Sequence, residues 1–450
     1  MRRLATLVAC GALLGAVVAP AGARTSSRWV TGVLPVPYAT GTNYSAEPAI
    51  AASPDGTLWA ASNFFNPPCA NTVSGCGTDI WRSKNGGRSW TWVGNPFRNL
   101  PTTPEEGFGG YDVDIAVAPE RNSAGRYNLY LTSLWTGSNS VVVSTDDGAS
   151  WTLLPAVSAG FVDRPWLQAI GPCTAYLGAK DVFSDVTVFT VFDGCEGRLR
   201  PTKVASAFAP GVNTRTGRFT VDASPRSPHR GAIYYPGVAE ATKRVVLSVS
   251  TDGGASWVLR DVAPFAKEAF VPIWPVTVAT DALGLVHMAW HDATTSFLAT
   301  SRDGGRTWSK ARALHGPKHT GVYPTVAATG QGQLAVAWYG TDVAGPSDDK
   351  GNMGRPVDRE DAAPWRLMIT QSRDGGRTFS RAEAASGVIH RGAICVSGTG
   401  CASDGTRALL DCFGLTFDTR GRLAGVFTSG LPRKGTDRAG SNSRFVAEVR

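Results

Sequence analysis

The sequence predicts an all-β fold: one closed ring of seven four-stranded antiparallel sheets, with six as the alternative count. Three observations predict it. A tight-turn octet recurs five times, a pair of apolar strands split by a short turn recurs seven times, and each end of the chain reads as a single strand.

The chain opens with Met1-Arg2-Arg3, runs apolar from Leu4 to Val18 and reaches Ala21-Gly22-Ala23. A positive start, a short apolar stretch and an A-x-A site predict a secretory leader over 1–23. The apolar run is too short to span a bilayer, and no later stretch approaches that length. The mature unit is then expected to be 24–450, a secreted monomer with no membrane span. The formal charge of the whole chain is +8 with 18% charged residues, and no Lys/Arg run of nucleic-acid type occurs. A mildly cationic surface, rather than a DNA or RNA partner, follows from that balance.

The octets are Ser83–Trp90, Ser144–Trp151, Ser250–Trp257, Ser301–Trp308 and Ser372–Phe379, with the pattern S-x-D-x-G-x-x-W. The Asp oxygen is expected to accept from backbone N–H groups two residues on, while the Gly supplies a positive φ. The terminal aromatic buries a large apolar face under the turn. In the first copy Asn85 replaces Asp, so that turn should form but be weaker. Each turn offers too few oxygens for a calcium shell. No Cys/His spacing suggests zinc, so neither metal nor cofactor is expected.

The strand pair is clearest at Ala49–Ala61, Val276–Trp290 and Thr325–Trp338. Aligning every first strand brings Glu47, Asp112, Arg164, Arg218, Trp274, Tyr323 and Asp411 to one equivalent position, with a mean spacing of about 61 residues. Two repeats lack the octet. In the seventh, closure by Trp29–Leu34 against Arg444–Val449 would remove the hairpin that carries it. In the third, a Cys173–Cys195 clip could stand in its place. Cys69–Cys76 and Cys395–Cys401 are the other expected disulfides in an oxidising compartment, which leaves Cys412 as a buried free thiol.

Five such octets resemble the Asp-box, or BNR-repeat, propellers of the sialidase type, over nearly the whole mature chain. The resemblance implies that octets lie on a lower face and that the seven aligned residues ring the upper mouth of a central channel. The long loops 63–78, 341–364 and 381–409 would lie on that upper face. It further implies a role in glycoside hydrolysis or glycan binding. On that pattern Arg164 and Arg218 would hold a substrate carboxylate with Arg391 or Arg407 as the third arginine. Tyr323 would be the nucleophile, Glu240 its partner, and Asp112 or Asp114 the acid. Trp274 and Tyr323 could give a flat wall for a sugar ring, and Glu47 and Asp411 complete the ring.

The chain departs from the family at two points: sialidases have six blades, and the Arg-Ile-Pro of their first blade is replaced here by Glu47-Pro48. Two other readings follow. One is a glycosidase working through two carboxylates drawn from Asp112, Asp114, Glu47 and Asp411. The other is a non-catalytic propeller that binds a glycan or a protein at the same mouth. No G-x-S-x-G elbow supports a Ser-His-Asp hydrolase.

Overall fold

A computed structural model describes residues 28–36, 45–64, 77–97, 111–135, 138–155, 162–181, 183, 187–199, 207–208, 216–266, 273–356, 361–401, 405–431 and 441–449. The leader 1–23 and the Cys69–Cys76 pair lie outside them.

The chain forms a seven-bladed propeller. Blade one consists of Ala49–Ala52, Leu58–Phe64, Gly77–Ser83 and Thr91–Gly94, and blade two begins with Val113–Arg121. Blades three to six begin with Val162–Ile170, Thr220–Val221, Ile273–Thr280 and Thr320–Thr329. Blade seven runs Gly414–Phe417, Leu423–Ser429 and Asn442–Glu448, and Trp29–Val33 from the other end of the chain supplies its outer strand. The register there is antiparallel, Trp29 opposite Glu448 and Val33 opposite Arg444. The ring closure read from the two terminal segments is thus what the structure shows. The single α-helix among the described residues is one turn, Lys350–Met353, in an upper loop of blade six.

The core lies between blades. Successive side chains of a strand point to opposite faces of its sheet. Leu129 and Leu131 of blade two pack with Trp59 and Ile80 of blade one, whereas Tyr130 between them packs with Leu167 and Phe192 of blade three. Because both faces are covered, the strands read as continuous apolar runs, such as Leu334–Trp338, and not as alternating ones.

Each octet joins the third and fourth strands of its blade, as expected, but the acceptor geometry differs from the sequence reading. Asp146 accepts not from residues two on but from the backbone N–H of Ser150, four on, at 2.9 Å, and from the Ser150 hydroxyl at 2.6 Å. The Ser144 hydroxyl closes the inner part of the turn, accepting from Gly148 N–H at 2.8 Å. Asn85 keeps the pattern: Ser89 N–H donates to its Oδ1 at 3.0 Å, and its amide donates to the Ser89 hydroxyl at 2.8 Å. Gly148 has φ +81°, and a Cβ there would sit 3.0 Å from the Trp59 ring, so this turn docks on the preceding blade only as glycine.

Cys173 and Cys195 are bonded across the two lower turns of blade three, where the octet is missing, and Cys395 is bonded to Cys401. Cys412 is free as expected, but it is half-buried and lines the axial cavity, so it is not sealed in the core.

Candidate functional site

The first strands of all seven blades surround an axial cavity of about 270 Å³. Its upper end is built from the aligned strand entries. Glu47, Arg164 and Tyr323 each precede a proline and each has a positive φ, +49°, +58° and +54°. A residue before proline is pushed toward extended backbone, and a left-handed non-glycine residue costs roughly 1–3 kcal/mol. Register shifts accompany the prolines at Asp163/Trp166 and Val322/Thr325, as bulges that turn the preceding side chain toward the axis.

Arg164 is the hub of the resulting cluster. Its guanidinium meets Glu47 of blade one at 3.1 Å, Asp112 of blade two at 3.4 Å and Asp411 of blade seven in a short contact. Glu47 also accepts from the backbone N–H of Asp411 at 3.2 Å, and Arg407 donates to Asp411 at 2.7 Å. The Asp163 carboxylate accepts from Arg164 N–H at 3.0 Å and shares a hydrogen bond with Asp112. Four carboxyls therefore face two guanidinium groups. Arg218 enters from blade four and reaches Asp114 of blade two at 2.9 Å, while Asp114 also accepts from Leu167 N–H at 2.8 Å and Ile115 N–H at 2.9 Å.

The charge states follow from burial and neighbours. Burial raises Asp411, but Arg164 and Arg407 outweigh it and hold its carboxyl below the usual range. Burial and the Glu47 carboxylate push Asp112 up to about 7 against the pull of Arg164. Burial and Asp112 push Asp163 up to about 6. Both groups are thus raised above the ordinary 3.8. Their contribution to stability is complete below that value and is lost as pH rises through 6 and 7. Melting temperature should therefore fall between pH 5 and pH 8, by an amount on the order of 2 kcal/mol in stability, and Asp112→Asn should flatten the profile. A wild-type profile flat over that range would show that Asp112 is an ordinary carboxylate.

The structure brings together Glu47, Asp112, Arg164 and Asp411, as the alignment anticipated, and adds Asp163 and Arg407. The tie of Arg164 to three carboxylates does not leave it as a free fork for a ligand carboxylate. The Tyr323 phenol is buried and donates to the Cys395 carbonyl at 3.1 Å. Burial first, then Asp411, raises its pKa far above the ordinary value, so the phenolate a nucleophile needs is disfavoured. Glu240 follows the second strand of blade four, Ile233–Ala239, two blades away from Tyr323. Arg391 pairs with Pro364 on the rim of blade six, and Arg407 is the arginine that joins Asp411. The backbone of Trp274 lies in the first strand of blade five. The loops 341–364 and 381–409 bind each other through Ile394 N–H to Ser347 C=O at 2.7 Å and Ala393 N–H to Gly354 C=O at 2.9 Å, above blade six.

No protein-family model matches the chain, and no curated protein matches it either. Several solved structures are similar. An α-L-arabinanase of Penicillium chrysogenum, complexed with arabinobiose, is 18% identical over 68% of this chain and 91% of its own, with a TM-score of 0.48. A protein of unknown function from Dyadobacter fermentans is 12% identical over 93% and 98%, with a TM-score of 0.46. A NanB sialidase from Streptococcus pneumoniae is 12% identical over 93% of this chain and 70% of its own, with a TM-score of 0.41. At such identities and scores no activity carries across to this chain.

Proposed function

We propose that this chain is a secreted, carbohydrate-acting propeller whose ligand enters the upper mouth and meets Asp112. The observation that carries the reading is a difference in exposure. Of the three carboxylates on the Arg164 guanidinium, Glu47 and Asp411 are 4% and 2% exposed, whereas Asp112 is 20% exposed. Held protonated up to about 7, it can donate to a glycosidic oxygen at neutral pH. With Asp112 and Asp163 protonated, Glu47 and Asp411 balance Arg164 and Arg407, and no guanidinium is left over for an anion, which favours a neutral sugar over the carboxylated one that the family pattern implies.

A second reading, glycan binding without turnover, is supported by a different observation. Hydrolysis through two carboxylates needs a partner at least about 5 Å from the acid. Glu47 and Asp411 are engaged by Arg164, Asp114 is engaged by Arg218, and Asp163 bonds to Asp112 itself. A panel of fluorogenic glycosides, with arabinosides and a sialoside included, together with a glycan-binding screen, tests both. On the first reading, Asp112→Asn should lower kcat by about 100-fold or more and change KM little. On the second, no substrate turns over and the same variant weakens binding. A chain that neither binds nor cleaves any glycan removes the proposal.

A further inference from the structure

Outside the axial cavity, a pocket of about 400 Å³ opens at the outer upper junction of blades five and six. It shares no lining residue with the axial cavity. Its back wall is Trp338, buried and covered by His315 at 6.1 Å between rings, and Met368 continues that wall. Trp338 lies on the face of its strand that looks toward blade five, since Leu334 and Val336 on the same face pack with Ala289 and Leu298. The wall can exist because two glycines are paired beneath it. Gly321 lies opposite Gly340, and a Cβ on Gly321 would fall 2.5 Å from His315 Nε2.

The charges around this wall are unbalanced. Arg366 and Arg381 both line the pocket, and neither has an ion-pair partner among the described residues. The one acid in the lining, Asp342, is held by His319 at 3.0 Å. Arg366 is half-buried and Arg381 exposed, whereas half-buried Arg218 is tied to Asp114 and Arg422 to Asp418. Two open guanidinium groups beside an apolar wall, in a volume typical of small-ligand sites, are suited to an anion carried on a ring.

We propose that this pocket is a second ligand site, which takes a sugar ring bearing a carboxylate or a sulfate ester, with the anion held by Arg366 and Arg381. The proposal does not depend on the reading of the mouth. Calorimetry on the full chain with glucuronate, glucose 6-sulfate, glucose and inorganic sulfate tests it. Saturable binding of glucuronate or the sulfated sugar is expected, weakened by added salt, with glucose about tenfold weaker or worse. Comparing the two anionic sugars tells carboxylate from sulfate ester. Arg366→Gln and Arg381→Gln should each lower affinity by about tenfold. The corresponding lysine variants, which keep charge and bulk but lose the fork, should fall between. Binding of these sugars should be unchanged in Asp112→Asn, so failure at the mouth and failure here are separable. The idea is overturned if neither anionic sugar saturates, if inorganic sulfate binds as tightly as the sugars, or if the arginine variants bind like the parent.

Discussion

Replacing Arg164 with Ala should cost about 3–5 kcal/mol of stability and lower the melting temperature by several degrees. The effect is expected to be on folding first and on any ligand second. Glu47 and Asp411 are almost wholly buried, and the charge that compensates them comes from a residue 117 positions from the one and 247 from the other. Removing one partner of a buried pair leaves the full desolvation cost of the other, which exceeds the modest net worth of the pair itself. Arg407 remains on Asp411, so Glu47 is the group left most exposed to that cost.

The pH dependence gives a second handle on the same substitution. In the parent, Asp411 is held below its ordinary range, so its contribution is present above the unfolded value and lost only in acid. In the variant the buried carboxyls should titrate above their unfolded values, with the opposite sign. The penalty should then shrink on going from neutral pH toward pH 4. Backbone strain offers a third comparison. Because φ at 164 is +58°, Arg164→Gly should be less damaging than Arg164→Ala by roughly 1 kcal/mol, although both remove the hub. Thermal melts of the three chains at two pH values decide the matter. An unchanged melting temperature with ligand binding abolished would mean that the arginine is reserved for a ligand.

The architecture was legible because the octet and the strand pair are local patterns repeated many times, each copy correcting the others. Even blade three, which has no octet, could be placed from the strand pair after Arg164, with Cys173–Cys195 read as the clip in the octet's stead. The ring of aligned residues was legible for the same reason: alignment along a strand fixes height in a propeller, so Glu47, Asp112, Arg164 and Asp411 had to share one level. What alignment could not supply was direction and solvation. Whether Arg164 points at water or at Asp411 depends on a positive φ before Pro165 and on chain more than 200 residues away. A signal was available, since Glu47-Pro48, Arg164-Pro165, Trp274-Pro275 and Tyr323-Pro324 repeat an X-Pro step at the same level. Asp163 and Arg407 sit beside, not at, the aligned position and were missed or left as an alternative. The burial of Tyr323 comes from the disulfide-bearing loop above it, whose path no local pattern encodes.

Deleting the N-terminal strand should have the other large effect. A chain starting after Val36 loses the outer strand of blade seven and with it the closure of the ring. Trp29 is 1% exposed and Leu34 is fully buried, and each such side chain contributes about 1.5–3 kcal/mol by burial. Arg28 bridges Glu448 at 3.0 Å and Glu383 at 2.7 Å, so its removal takes a cation from Glu448, whose side chain is 0% exposed and keeps the Leu423 N–H at 3.2 Å. The last strand, Asn442–Glu448, would become an open edge with apolar residues on both faces, a template for pairing between chains. Summed, the loss is on the order of 5 kcal/mol or more, comparable to the whole stability of an ordinary domain. The expected result is insoluble protein, or a soluble fraction without a cooperative melt. A circular permutant that links residue 449 to residue 28 and opens the chain between 356 and 361 keeps the strand and should fold and melt close to the parent. If the truncated chain melts as the parent does, blade seven is held by its three C-terminal strands alone and the closing strand contributes nothing.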